Sequence, residues 1–173
     1  MSVRLSASLV RVVNGSTATH SDSATTDGAG PLSNFRRDDP DFFPLVVGNH
    51  ILGGGGFASL INEEVRQKRG LAYSAYSSLA AYLRPGPFAI GLQTQKNQAG
   101  EALAVVRATL AAFRTDGPTD KELAEAKQNI VGGFPLRIDS NRKILDFLGG
   151  IGFYGLPLTP LRDYLGWVQQ VGA

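Results

Sequence analysis

The chain has 173 residues, no cysteine and only two histidines, and its 17 basic side chains barely outnumber its 15 acidic ones. Without cysteine there is no disulfide framework, no thiolate nucleophile and no Cys-ligated zinc centre. A net charge of +2 makes no broad cationic field, and no Lys/Arg cluster is interleaved with aromatics, so nucleic acid is not an expected partner. The short clusters Arg36-Arg37 and Lys68-Arg69 read as solvated surface. No apolar run approaches the roughly 18 residues of a spanning helix, so no membrane span is expected. Residues 1–10 lack the continuous apolar stretch of a signal peptide.

Catalytic signatures are also scarce. A zinc site needs three or four converging ligands, and the sequence has neither His-x-x-Glu-His nor a His-x-x-His pair on a helix. His20 and His50 lie far apart, in different kinds of segment. His50 sits among Val46, Val47, Ile51 and Leu52 and reads as a core or helix-surface histidine. No Gly-x-Ser-x-Gly elbow occurs, and Ser59, although it follows glycines, has no identifiable base.

What is present suits one domain. Apolar residues make up 43% of the chain, enough to fill a single core. Residues 1–34 read as an irregular arm or an altered N-terminal strand. Val3 to Val13 alternates loosely, and the Ser-, Thr-, Gly-, Asp- and Asn-rich stretch 14–34 has too little apolar surface to offset its ordering entropy. Residues 35–173 form the predicted domain, expected to be incomplete at its C-terminus because the last helix has no clear cap.

Within that domain the pattern predicts helix, hairpin and helix again. Asp38, Asp39 and Asp41 place acidic residues at the start of a helix carrying Phe42, Phe43, Leu45, Val46 and Ile51. A second helix spans about 57–68, with Phe57, Leu60, Ile61 and Val65 on one stripe and Gly70 as its stop. Strand-like runs 72–83 and 88–95 flank Arg84-Pro85-Gly86-Pro87, a hairpin turn. Further helices follow over about 99–114, from Thr119 with a Thr119–Glu122 capping box, from Asp139-Ser140-Asn141, and from about Pro160. The expected fold class is α+β, a two-layer domain, expected to be a truncated copy, with a short, mainly antiparallel sheet packed against several helices.

Gly53, Gly54, Gly55 and Gly56 followed by Phe57-Ala58 satisfy Gly-x-Gly-x-x-Ala, a formal dinucleotide fingerprint. The acidic residue expected further on is missing, and no Lys-Ser/Thr completes a phosphate loop. Three readings stay open: a helix–helix joint or hinge, a backbone that lets an extended peptide approach, and, remotely, a nucleotide-binding enzyme.

From Asp38 to about Tyr164 the sequence resembles the C-terminal-type domain of the pitrilysin (insulinase, mitochondrial processing peptidase) family, in its bacterial branch. The matching words are Arg37-Asp-Asp-Pro-Asp-Phe-Phe43, Ile51-Leu-Gly-Gly-Gly-Gly-Phe57, Glu64-Val-Arg-Gln-Lys-Arg-Gly-Leu-Ala-Tyr-Ser74, Pro85-Gly-Pro-Phe88 and Gly132-Gly-Phe-Pro-Leu-Arg137. The resemblance implies the non-catalytic, substrate-binding half of a two-domain clamp for unfolded peptides. It implies zinc in a homologous His-x-x-Glu-His partner domain or subunit and none in this chain. It also implies that Arg66 and Tyr73 hold the substrate backbone and the carbonyl under attack, a role that suits two fixed donors facing growing negative charge. Arg69 is the competitor for Arg66. A periplasmic or cell-envelope location would follow from the bacterial relatives, and a scaffold without proteolytic role is the alternative. Two departures stand out. Leu60 occupies a position where the family pattern expects arginine, and the stretch before Asp38 lacks the expected strand, which would leave a sheet edge open to self-association.

Overall fold

The computed structural model describes residues 10–14, 36–83, 86–156 and 160–172, with side chains described except at 10–14 and 160–162. The rest of the N-terminal arm, His20, and the Arg84-Pro85 half of the hairpin turn lie outside these residues.

Three strands form one sheet in the order β1 (Val10–Asn14), β3 (Phe88–Thr94), β2 (Ser74–Leu79). β2 and β3 run antiparallel, with Ser74 opposite Gln93 and Leu79 opposite Phe88. β1 joins the other side of β3 in parallel, with Val10 opposite Ile90. β1 overlaps the end of the alternating stretch Val3 to Val13, whose earlier residues lie outside the described ones, and it pairs in parallel. Side chains alternate along β2, placing Ala75 and Ser77 inward and Tyr76 and Ser78 outward. On the open face, the Tyr76 ring lies over Gly91, where a Cβ would come within 2.4 Å of Tyr76 Cζ.

Helices cover the inner face. α1 (Phe42–Asn49) continues as a π-helical turn over His50–Gly54, and a 3₁₀ turn follows at Gly56–Ala58. α2 (Leu60–Asn62) continues as a second π-helical turn over Glu63–Gln67. After the hairpin come α3 (Ala99–Asp116), α4 (Asp120–Gly133), α5 (Asn141–Phe153) and α6 (Pro160–Gln170). The ends of the later helices follow local chemistry. Gly117, at φ 71°, ends α3. Thr119 and Glu122 close a reciprocal capping box on α4. Ser140 caps α5 by accepting from the Lys143 N–H.

Two expectations about the early helices are corrected. The acidic residues at 38, 39 and 41 precede the first turn of α1 and do not lie in it; Asp39 accepts from the Asp41 N–H to shape the approach. The second helix does not begin at Phe57. Gly53 and Gly54 are still helical, and the break falls at Gly55–Ser59, so the second helix begins at Leu60.

The core has two parts. Under the sheet, Ala75, Ile90 and Leu92 pack on Leu52, Ile61 and Val65 and on Ala102, Val106 and Leu110 of α3. Among the helices, Val47 and Ile51 pack on Leu123, Ala126, Ile130, Phe134, Tyr164 and Val168. Phe113 touches both clusters and joins them. Each fully buried Leu, Ile or Val contributes about 1.5–3 kcal/mol. Arg37, read as surface, is half-buried with its guanidinium 4.3 Å from the Phe42 ring centre and 5.8 Å from that of Tyr154. Its burial lowers its pKa from the ordinary arginine value.

Candidate functional site

Arg66 and Tyr73 meet because the chain reverses between them. Arg66 lies on the π-helical turn Glu63–Gln67, where Lys68 N–H bonds back to Glu63 O. Gly70, at φ 63°, then turns the backbone through a conformation that L side chains rarely adopt. Two bonds close the turn, Gly70 N–H to Arg66 O and Leu71 N–H to Val65 O, each 2.9 Å. Leu71 and Ala72 enter the core. Tyr73 lies one residue before β2, and its N–H donates to Gln93 O at 2.8 Å, which anchors it to the sheet.

The result is an exposed patch. The Arg66 guanidinium carbon lies 5.5 Å from the centre of the Tyr73 ring and 4.6 Å from that of Phe57. Tyr73 is 75% exposed and Phe57 66% exposed. Both distances fall within cation–π range.

The neighbouring basic residues are spoken for. Glu64 bonds Lys68 at 2.6 Å and pairs with Arg69, which also donates to the Glu64 carbonyl. Lys68 also reaches Glu63 at 3.0 Å. The hydrogen bonds from Lys68 and Arg69 hold the Glu64 carboxyl below the usual carboxylate range, and those from Lys68 to Glu64 and Glu63 push the ammonium up. Among the described residues, Arg66 is paired with no carboxylate. Of the two competing arginines, Arg69 is thus neutralised while Arg66 keeps its donors.

The four glycines play unlike parts. Gly53 is buried against β2, where a Cβ would lie 2.4 Å from the Ser77 N. Ser77 is further fixed by donating to Asn49 Oδ1 at 2.8 Å. At Gly55 a Cβ would lie 2.7 Å from His50 O. Only Gly56, at φ 69°, is a turn glycine in open space. A helix precedes the run where the dinucleotide fingerprint needs a strand, so the βαβ geometry of that reading is absent. Ser59 is fully buried and donates to Gly56 O at 2.7 Å, which makes it a turn-former.

A cleft of about 340 Å³ lies behind the same turn, lined by His50, Gly55, Ala58, Leu60, Glu63, Lys121, Glu122 and Glu125 among others. Leu60, standing where arginine was expected, packs on the helical core beside this cleft. Burial, with a smaller contribution from Arg137, pushes the His50 imidazole below the ordinary histidine value. Glu122 is held in its capping box and Glu63 by Lys68. Among the described residues, no three of His, Asp and Glu converge as a metal ion requires, and none of their helices is long and apolar enough to cross a membrane.

Phe57 was not singled out from the sequence, although its ring lies beside Arg66. The helical stripe 57, 60, 61, 65 assigned it to the core, yet it projects into solvent. Its position directly after a glycine run was the available signal.

Comparison with known proteins agrees with this architecture. An uncharacterized zinc protease of Bacillus subtilis, YmxG, is 36% identical over 98 residues, 57% of this chain and 24% of that protein. A Helicobacter pylori protein described as a non-peptidase homolog is 33% identical over 119 residues, 68% of this chain and 27% of that protein. The chain thus spans about a quarter of the length of these curated relatives. A crystal structure of a peptidase M16 inactive domain from Pseudomonas fluorescens superposes with a TM-score of 0.76 at 34% identity, covering 95% of this chain and 37% of that one. A Helicobacter pylori protease structure shares the fold, with a TM-score of 0.71 at 19% identity. The family model for the peptidase M16 inactive domain matches residues 25–130, and the chain belongs to that family.

Proposed function

We propose that this inactive peptidase domain is the substrate-binding half of a zinc-dependent peptidase, acting with a homologous domain or subunit that carries His-x-x-Glu-His. The observation that supports the reading is Arg66. It is the one arginine of the Glu64–Ser74 word without a carboxylate partner among the described residues, and it stands beside Tyr73 on an exposed surface. A guanidinium and a phenol so placed can donate to the backbone of an extended peptide, and more strongly to a carbonyl oxygen gaining charge. Zinc, when bound in the partner domain, supplies the activated water. The residues of this chain bind and orient the peptide.

The test is reconstitution. Mixing the chain with a His-x-x-Glu-His homologue from the same genome should give zinc-dependent cleavage of an unfolded peptide. Arg66→Ala and Tyr73→Phe should each lower kcat/KM on the order of a hundredfold. Arg69→Ala should leave it near the wild-type value. Cleavage indifferent to both of the first changes would refute the assignment. Stable association without cleavage would favour a scaffold, the reading suggested by the relative described as a non-peptidase homolog.

A further inference from the structure

We infer that Phe57 is a positioning residue for Arg66: its ring fixes the guanidinium while leaving the in-plane N–H donors free for substrate. The inference rests on the substrate-binding reading above and adds a residue to it.

A large apolar side chain that is 66% exposed gains little from burial, so packing alone does not account for its place. The backbone around it is nevertheless tightly specified. Gly56 adopts φ 69°, Ser59 Oγ bonds Gly56 O, and the Gln67 side-chain amide reaches across from the second π-helical turn to donate to Phe57 O. Gln67 is the sequence neighbour of Arg66, so the bond ties the Phe57 backbone to the turn that carries the guanidinium. The ring then lies 4.6 Å from the Arg66 guanidinium carbon, with Tyr73 at 5.5 Å. Stacking occupies the π face of a guanidinium and spares its edge, where all five donors lie. A carboxylate partner would instead take donors on that edge, as Glu64 takes Nη1 of Arg69.

The experiment is a double-mutant cycle on the full chain, read by fluorescence anisotropy with fluorescein-labelled β-casein as the unfolded polypeptide. Phe57→Leu keeps apolar bulk and loses the π face. It should weaken binding about two- to fivefold, and Phe57→Trp should restore it. In an Arg66→Ala background, Phe57→Leu should have no further effect. In parallel, the Arg66 Nε–Hε resonance should shift on Phe57→Leu as the ring current is lost.

An equal loss in both backgrounds would overturn the proposal, because Phe57 would then act without Arg66. So would an Arg66 resonance unmoved by Phe57→Leu. Wild-type affinity in Phe57→Leu beside weakened Arg66→Ala would sink the role of Phe57 alone. Absence of casein binding, or wild-type affinity in Arg66→Ala, would remove the substrate-binding reading and the proposal with it.

Discussion

Gly53 has no room for a methyl group, because its Cα faces the β2 backbone and the Ser77 side chain. The obstruction at 2.4 Å is a main-chain nitrogen in a paired strand, which cannot step aside as a flexible side-chain tip could. Gly53→Ala should therefore destabilise the fold by about 1–3 kcal/mol through overpacking. The urea midpoint should fall with the slope unchanged, and an unaltered midpoint would show that helix and strand separate more easily than their contact suggests. At this scale the sequence was partly legible. The Glu64–Lys68 pair follows from ordinary helical spacing. The Glu64–Arg69 pair does not, because it spans five residues and depends on the π-helical turn. That wider turn gives Arg69 to Glu64 and leaves Arg66 among the rings, whereas in the sequence only the seven-residue spacing to Tyr73 favoured Arg66.

Among the secondary elements, the clearest signals were chemical. Thr119–Glu122 and Ser140 announce the starts of α4 and α5 through side-chain bonds that need only local sequence. The α4 cap joins that helix to a chain leaving α3 at Gly117, so its loss should be felt globally. Thr119→Ala should cost about 1 kcal/mol, visible as a lower thermal midpoint with secondary structure retained. A midpoint matching wild type would mean that Asp120 or solvent takes over the orphan N–H groups. Periodicity served less well. It placed Phe57 on the same face as Leu60, Ile61 and Val65, but Ser59 at ψ 148° interrupts the helix between them. On α5, Leu145 is 69% exposed, and Ile144 and Leu148 are exposed as well, although all three are large apolar side chains. An apolar stripe reports where burial is available and says nothing of whether a neighbour is there to supply it.

For the molecule as a whole, acid sensitivity follows from two groups in different places. His50 lies where the first π-helical turn meets the cleft wall that α4 supplies, with Glu63, Lys121, Glu122 and Glu125 lining the same cleft and Arg137 opposing its charge. Its folded-state pKa is depressed, so the unfolded chain takes up the proton first as pH falls. Stability is full above the unfolded histidine value of about 6.5 and declines as pH drops from there through the folded value. Glu64 is depressed as well, by its bonds to Lys68 and Arg69. Its contribution is full above the ordinary carboxylate range and is lost as pH falls through its own folded value. The two losses therefore have the same sign and occur in sequence, first the histidine and then the carboxylate. Urea midpoints measured from pH 8 down to pH 3 should show both declines. His50→Gln, which cannot titrate, should flatten the upper one and leave the lower. Glu64→Gln should do the reverse. A wild-type midpoint that is constant between pH 8 and pH 5 would mean that His50 takes its proton as readily in the fold as out of it. The packing of α4 against the His50–Gly54 turn would then be looser than its buried Ile51 contact implies.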